Sequence, residues 1–223
     1  MAFITSPTSI LIAVIVTIGV AAFTWMTVQD RTYVASMWYA PRAAPNPNVA
    51  VIYYSRSGHS EAVARYVARQ FNAPIAKIEA DYPLDLSGQQ KAIEDANAAV
   101  IPKITVQEVE LDSAHQVILV TPTWMFRPAT PMWAYIAQTD LRNKAIVLIT
   151  TGNSRFEQDQ IDEFAKAVES QGGRLVRHIF LRRGRFYWQK SREDLLQELS
   201  AQLRTLDTST HTTNADRSHL KQH

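Results

Sequence analysis

The sequence contains no cysteine. Disulfides, thiolate metal sites and cysteine nucleophiles are thereby excluded, and any redox chemistry must be carried by a bound cofactor. An excess of charge of one sign is missing too. The 23 Lys and Arg stand against 21 Asp and Glu, and a net charge of +2 with a pI near 8.9 is too mild to mark a nucleic-acid-binding chain. No RNA- or DNA-binding signature occurs along the sequence, so nucleic acid is set aside as a partner. The tail histidines His211, His219 and His223 sit in a polar stretch without periodicity. They are read as solvated, and no metal site is expected.

A third absence is local. No charged side chain occurs from Met1 to Gln29, and within that stretch SILIAVIVTIGVAAFTWMTV is about as long as the roughly 20 residues that cross a bilayer. Residues 8–28 are read as a membrane-spanning helix inside an N-terminal segment, 1–29. A cleaved signal peptide would want a basic start, a shorter apolar run and a small-residue cleavage site, none of which is clear. Arg31 and Arg42 follow the span, which by the positive-inside rule puts the body of the chain in the cytoplasm. The proline-rich APRAAPNPN belongs to a short stiff linker, 30–47. Within that linker, Tyr33, Trp38 and Tyr39 suit either an aromatic belt at the headgroups or packing against the domain.

What is present from residue 48 onward is an alternation of short apolar runs with helical periodicities. Strands are expected at 49–54, 74–78, 116–121, 145–150 and 175–181, and helices at 60–71, 89–99, 131–138, 158–171 and 191–206. Such alternation gives an α/β domain, 48–206, with helices on both faces of a parallel sheet. Five strands suit the doubly wound order 2-1-3-4-5, with a ligand at the carboxyl ends of the strands near the switch point. The polar tail, 207–223, is expected to be disordered.

The first apolar run, VAVIYY, empties into SRSGHSE. In an open parallel sheet that turn faces the ligand crevice, and the helix behind it presents free backbone N–H groups with partial positive charge. The hydroxyls of Ser55, Ser57 and Ser60 add donors and Gly58 lets the backbone approach closely, which makes a cradle for one phosphate. The P-loop pattern G-x-x-x-x-G-K-[ST] and the dinucleotide pattern G-x-G-x-x-G are both absent. The hydrolase elbow G-x-S-x-G is absent as well. A bland reading competes, in which Ser60 caps the helix and the other serines fill a turn.

The third strand breaks the tie, because it ends in TWMFRP and so puts Trp124, Met125 and Phe126 in an exposed loop, where large aromatics want something flat to cover them. The fourth ends in ITTGNSRF, whose Thr151, Gly152 and Asn153 can meet the polar edge of a ring. Phosphate donors, an aromatic face and amide-type partners are the three needs of a flavin mononucleotide.

Over residues 48–205 the sequence resembles the flavodoxin-like flavoprotein superfamily. YYSRSGHSEAVA is similar to the family's phosphate loop, [ST]-x-[ST]-G-x-[ST], and to its form in NAD(P)H:quinone oxidoreductases. VTPTWMFRPATP and LRNKAIVLITTGNS resemble the second and third flavin loops. The resemblance implies a flavodoxin-like fold and FMN as cofactor. It implies phosphate contacts in the loop Ser55, Arg56, Ser57, Gly58, His59 and Ser60. Ring contacts are implied at Thr123, Trp124, Met125, Phe126, Thr151, Gly152 and Asn153, with Tyr82 of EADYPLD as a neighbour of the ring. Arg127, Asn153, Ser154 and Arg155 depart from the family pattern and are bulkier, so a flavin-free pocket filled by Arg127 or Phe126 stays open.

Small electron-carrier flavodoxins are acidic, whereas here Arg56, Arg127 and Arg155 lie in the loops near the ring. One cation about 6 Å from the flavin, at an effective dielectric near 20, stabilises its anionic two-electron reduced form by roughly 3 kcal/mol before screening. The expectation is a membrane-anchored FMN oxidoreductase taking electrons from NAD(P)H to a quinone or similar acceptor. A one-electron carrier for a membrane partner and a non-catalytic interaction subunit are the alternatives. No catalytic acid is assigned, since the flavin N5 would perform the chemistry, and a homo-oligomer stays open. The stretch 174–192 carries seven basic residues and no acidic one, with Phe186, Tyr187 and Trp188. It is read as a headgroup-facing strip, a solvated edge or a docking face.

Overall fold

Six consecutive apolar residues, Val49–Tyr54, form β1, and all six are buried. A strand apolar on both faces has to be covered on both. Ile52 and Tyr54 join a core with Met132, Ile136 and Phe164, while Val51 and Tyr53 join a second core with Val63, Val67, Leu195 and Leu199. Residues that alternate along one strand therefore enter two separate cores, each such side chain contributing about 1.5–3 kcal/mol. The computed structural model describes residues 6–184 and 189–203. The tail 207–223 with its histidines, and Phe186, Tyr187 and Trp188, lie outside the described residues.

After β1 come α2 (His59–Phe71), β2 (Ile75–Ala80), α3 (Leu86–Asn97), β3 (Ile104–Val106), β4 (Gln116–Trp124), β5 (Arg127–Pro128), α4 (Thr130–Gln138), β6 (Ala145–Gly152), α5 (Gln158–Ser170) and β7 (Arg174–Arg182). A helix over 192–203, α6, follows. Helices α2 and α6 cover one face of the sheet; α3, α4 and α5 cover the other.

The expectation of a purely parallel, five-stranded 2-1-3-4-5 sheet is corrected by this arrangement. The sheet is mixed and seven-stranded, in the order β3-β2-β1-β4-β6-β7 with β5 paired to β4. β1 pairs in parallel with β2 and β4, and β6 with β4 and β7. β3 runs antiparallel along the outer edge of β2, matching Ile78 with Val106 and Ala80 with Ile104. β5 folds back on β4 as a two-residue hairpin arm. Three residues and two residues are too short to carry a period, which is why neither strand shows in the hydrophobic pattern.

Helix α1, Pro7–Arg31, precedes the sheet. Its window Pro7–Trp25 has a mean hydropathy of 2.1, none of it is buried, and it is long and apolar enough to cross a membrane. Beyond it, residues 33–46 run as an extended strap along α2. Val34 N–H donates to the Ser57 carbonyl at 2.9 Å. Arg65 donates to the Ser36 and Met37 carbonyls, and its guanidinium lies 5.3 Å from the Trp38 ring centre. The buried Tyr39 hydroxyl donates to the Ala73 carbonyl at 3.0 Å, and Asn72 bonds both Arg42 and Ala44. Tyr33 donates to Glu61, which is buried in an ion pair with Arg65.

Candidate functional site

The carboxyl ends of β1, β4 and β6 converge on a cleft of about 400 Å³, a size usual for small-molecule sites. Its first wall is the turn after β1. Gly58, at φ 91°, is the N-cap of α2 and sends the chain into the helix. That conformation is open to glycine and strained for other residues. A Cβ at this position would also stand 2.2 Å from the Val34 carbonyl oxygen, so the strap lies directly against the turn. The Ser55 hydroxyl accepts from Gly58 N–H at 3.0 Å and closes the loop on itself. Ser60, in the first turn of α2, shares a 2.8 Å hydrogen bond with Thr151 at the end of β6. Arg56 reaches across to the carbonyls of Pro83 and Asp85 and fastens the turn to the approach of α3.

The second wall is the β4–β5 hairpin. Trp124 faces Arg127 across a turn whose two central residues are Met125, at φ 46°, and Phe126, at φ 68°. Positive φ at both centres is the favoured geometry for a two-residue hairpin, and Asn-Gly is its usual sequence. A Met-Phe pair there is strained by of order 1–3 kcal/mol per residue. The strain is offset in part by contacts the turn makes: Arg155 lies 4.6 Å from the Phe126 ring centre, and the Phe126 carbonyl accepts Glu157 N–H at 2.9 Å. Trp124 is held edge-on by Tyr54 at 5.5 Å and Tyr82 at 4.7 Å between ring centres.

Gly152 begins the third wall. A Cβ there would meet the Thr123 hydroxyl at 2.2 Å and the Phe180 ring at 2.9 Å, so only a glycine lets β4, β6 and β7 end so close together. Beyond it, Asn153, Ser154 and Arg155 complete the rim.

Of the residues expected in the site, Arg56, Ser57, His59, Ser60, Thr123, Trp124, Met125, Phe126, Thr151, Gly152 and Asn153 all line this one cleft. Ser55 and Gly58 shape the turn beneath it. Tyr82 lies behind Trp124, buried, with its hydroxyl on Asp95 and Thr130. Arg127 does not line the cleft: its guanidinium lies 4.7 Å from the Trp133 ring centre and donates to the Ala96 carbonyl. Gln89, Ala92 and Ile93 of α3 and Arg183 after β7 also line it and escaped the sequence reading. The sequence places a helix at 89–99, but nothing in it tells which part of that helix borders a crevice. Arg183 stood unmarked among the basic residues of 174–192.

Charge on the cleft wall is one-sided. Arg56, Arg155 and Arg183 line it, and among the described residues no carboxylate does. His59, the first residue of α2, has its Nδ1 buried without a partner among the described residues. Burial, and then the nearby charges of Arg183 and Arg192, push its pKa down to about 3. The imidazole is therefore neutral at physiological pH and can donate from one nitrogen.

No sequence-family model and no curated protein matches the chain. Solved structures do. A flavoprotein from Lactobacillus acidophilus in complex with FMN aligns at 15% identity and a TM-score of 0.52, over 60% of this chain and 92% of that one. The fold is flavodoxin-like. Two proteins assigned as flavoproteins align similarly over 69% of this chain, both with a TM-score of 0.53. The one from Bacteroides eggerthii is 15% identical with 96% of its length covered, and the one from Bacteroides uniformis 17% identical with 97% covered. In a flavodoxin-like sheet the crevice at the strand ends is the ligand position.

Proposed function

We propose that the chain is a membrane-anchored flavoprotein that binds FMN in this cleft and passes electrons from NAD(P)H to a quinone or similar acceptor. The observation that carries the reading is the convergence of three strand-end turns on one cleft. The α2 N-terminus with Ser57 and Ser60 suits a phosphate, Trp124, Met125 and Phe126 a flat ring, and Thr151 with Asn153 its polar edge. The residues present fit the cofactor. The buried, unpartnered Nδ1 of His59 and the carboxylate-free lining both favour an anion. Bound FMN would supply a hydride-accepting ring. The chain's own part is to hold the tail at α2, wedge the ring beside Trp124 and set the field.

That field supports an enzyme over a one-electron carrier. A cleft lined by cations stabilises added negative charge, so the fully reduced anionic cofactor is favoured. The anchor reading rests on α1, whose apolar window is exposed on every side. A helix apolar all round and packed against nothing among the described residues suits lipid. With the body on the cytoplasmic side, NAD(P)H would reach the cleft from solution.

The test is titration of the purified full chain in detergent micelles with FMN, followed by flavin fluorescence. Saturable quenching, weakened at least tenfold by Trp124→Ala, is expected. A chain that leaves FMN fluorescence unchanged at every concentration refutes the reading. With the flavin bound, direct bleaching by NADH or NADPH separates the enzyme from a carrier, which would need a reductase.

A further inference from the structure

The three aromatic side chains of the strap part company in the folded chain. Tyr39 turns inward and is buried, with its hydroxyl on the Ala73 carbonyl, and the Tyr33 hydroxyl is taken by Glu61. Trp38 turns outward. At 78% and 74% exposure, Trp38 and Met37 are the two most exposed large apolar side chains among the described residues, above every one on α1. Scattered apolar side chains on a surface are ordinary. These two are adjacent, and the backbone that carries them is pinned. Arg65 donates to the Ser36 and Met37 carbonyls and Arg69 to the Trp38 carbonyl, while the Arg65 guanidinium lies 5.3 Å from the Trp38 ring centre. Since those carbonyls are already bonded within the protein, covering the tip strands none of them.

Position and charge together name what covers it. The window Pro7–Trp25 is 19 residues long, about 28 Å of helix, against a hydrocarbon core of about 30 Å. Helix α1 ends at Arg31, and the chain from there to Met37 spans no more than about 20 Å. The tip therefore stays within reach of the headgroups, the level at which indole rings are enriched. The strap and α2 carry Arg42, Arg65 and Arg69 against a single carboxylate, Glu61, which is buried in its ion pair with Arg65. What is left exposed, Arg42 and Arg69, is cationic and suits an anionic lipid surface.

We propose that Met37 and Trp38, flanked by Arg42 and Arg69, form a lipid-docking surface that lays the α2 face of the domain against anionic headgroups. The inference rests on the anchor reading above and adds the side chains that orient the domain. One point of attachment leaves a domain free to rotate about it; a second fixes which face meets the bilayer.

The chain has no cysteine, so a single introduced cysteine carries the only spin label. Ala40→Cys places it at an exposed position on the strap, and Glu163→Cys, exposed on α5 across the sheet, is the reference. The full chain is reconstituted in vesicles of phosphatidylcholine with phosphatidylglycerol. Each label's accessibility to oxygen, which dissolves in lipid, is compared with its accessibility to a water-soluble nickel chelate. The oxygen-to-nickel ratio is expected to be several-fold higher at Ala40 than at Glu163, and to fall when phosphatidylglycerol is left out. Met37→Ser with Trp38→Ser should bring the Ala40 ratio down to the Glu163 value, whereas Met37→Leu with Trp38→Phe should keep it high. A ratio that the serine pair leaves high overturns the role of Met37 and Trp38, and one indifferent to phosphatidylglycerol overturns that of the arginines. An Ala40 ratio equal to that of Glu163, in a chain that resists carbonate extraction, overturns the docking and leaves the anchor standing. A label shielded from both reagents means that protein covers the tip, and overturns the docking too. A chain that carbonate strips from the vesicles removes the anchor reading, and the docking with it.

Discussion

His178 and His59 are both held neutral by burial, at pKa values pushed down to about 4 and about 3. The unfolded chain takes up a proton on each near pH 6.5, while the folded chain refuses it until the pH falls further. Between those limits the unfolded state binds more protons, so stability rises with pH and is lost as acid is added from about 6.5 downward. At pH 5 each histidine is expected to have withdrawn about 2 kcal/mol. His178 packs edge-on against Phe156, with its Nε2 2.7 Å from the Thr150 hydroxyl, outside the cleft lining. His178→Gln should therefore flatten the fall in denaturation midpoint between pH 6.5 and 5 relative to wild type, and an unchanged slope would count against a neutral buried ring. Gly58→Ala is the second residue-scale prediction. It forces a side chain onto φ 91° and against the Val34 carbonyl, and is expected to cost about 2 kcal/mol or more, read as a drop in Tm.

Among the elements, the β4–β5 hairpin carries strain that a designer would remove. Met125→Asn with Phe126→Gly matches the turn's positive φ values, and is expected to raise stability by roughly 1 kcal/mol. Both side chains line the cleft, so the same double variant should bind FMN more weakly; a gain in both would show that the pair is not there for the ligand. This turn also shows where the sequence was opaque. TWMFRP reads as an exposed aromatic loop, and its hairpin geometry is hidden because neither Met nor Phe signals positive φ. The long elements were legible for the opposite reason. VAVIYY and VILV are apolar on both faces, and α5 places its buried residues Ile161, Phe164 and Val168 at helical spacing. Short pieces such as Ile104–Val106 form only because the edge of β2 offers unpaired backbone groups, a tertiary cause that leaves no local period. Arg183 was hidden differently. A run of arginines shows that charge is present, but which member turns inward is set by the β7 end pairing with Gly152, a contact distant in sequence. The strap was equally veiled. Its prolines read as a linker, while Tyr39 and Asn72, which fasten it to α2, carry no mark of that pairing.

At the scale of the whole molecule, α1 is the only described helix long and apolar enough to cross a membrane. Arginine near the middle of a span disfavours insertion by about 2.5–3.5 kcal/mol each. Replacing Val14 and Ile15 together by Arg is expected to move the chain from the membrane pellet to the supernatant on fractionation; continued pelleting would mean that another surface holds it there. The helix ends at Arg31, and three residues later Val34 is bonded to Ser57, which lines the cleft. Three extended residues reach no more than about 10 Å. The leash is thus much shorter than the domain it tethers. Where α1 crosses a bilayer, the strand ends that carry the cleft ride close to the headgroups instead of swinging free above them. A reactant dissolved in lipid would then be served without being ferried through water, and if the cleft holds the proposed FMN, its emission should be quenched by headgroup-labelled nitroxide lipids.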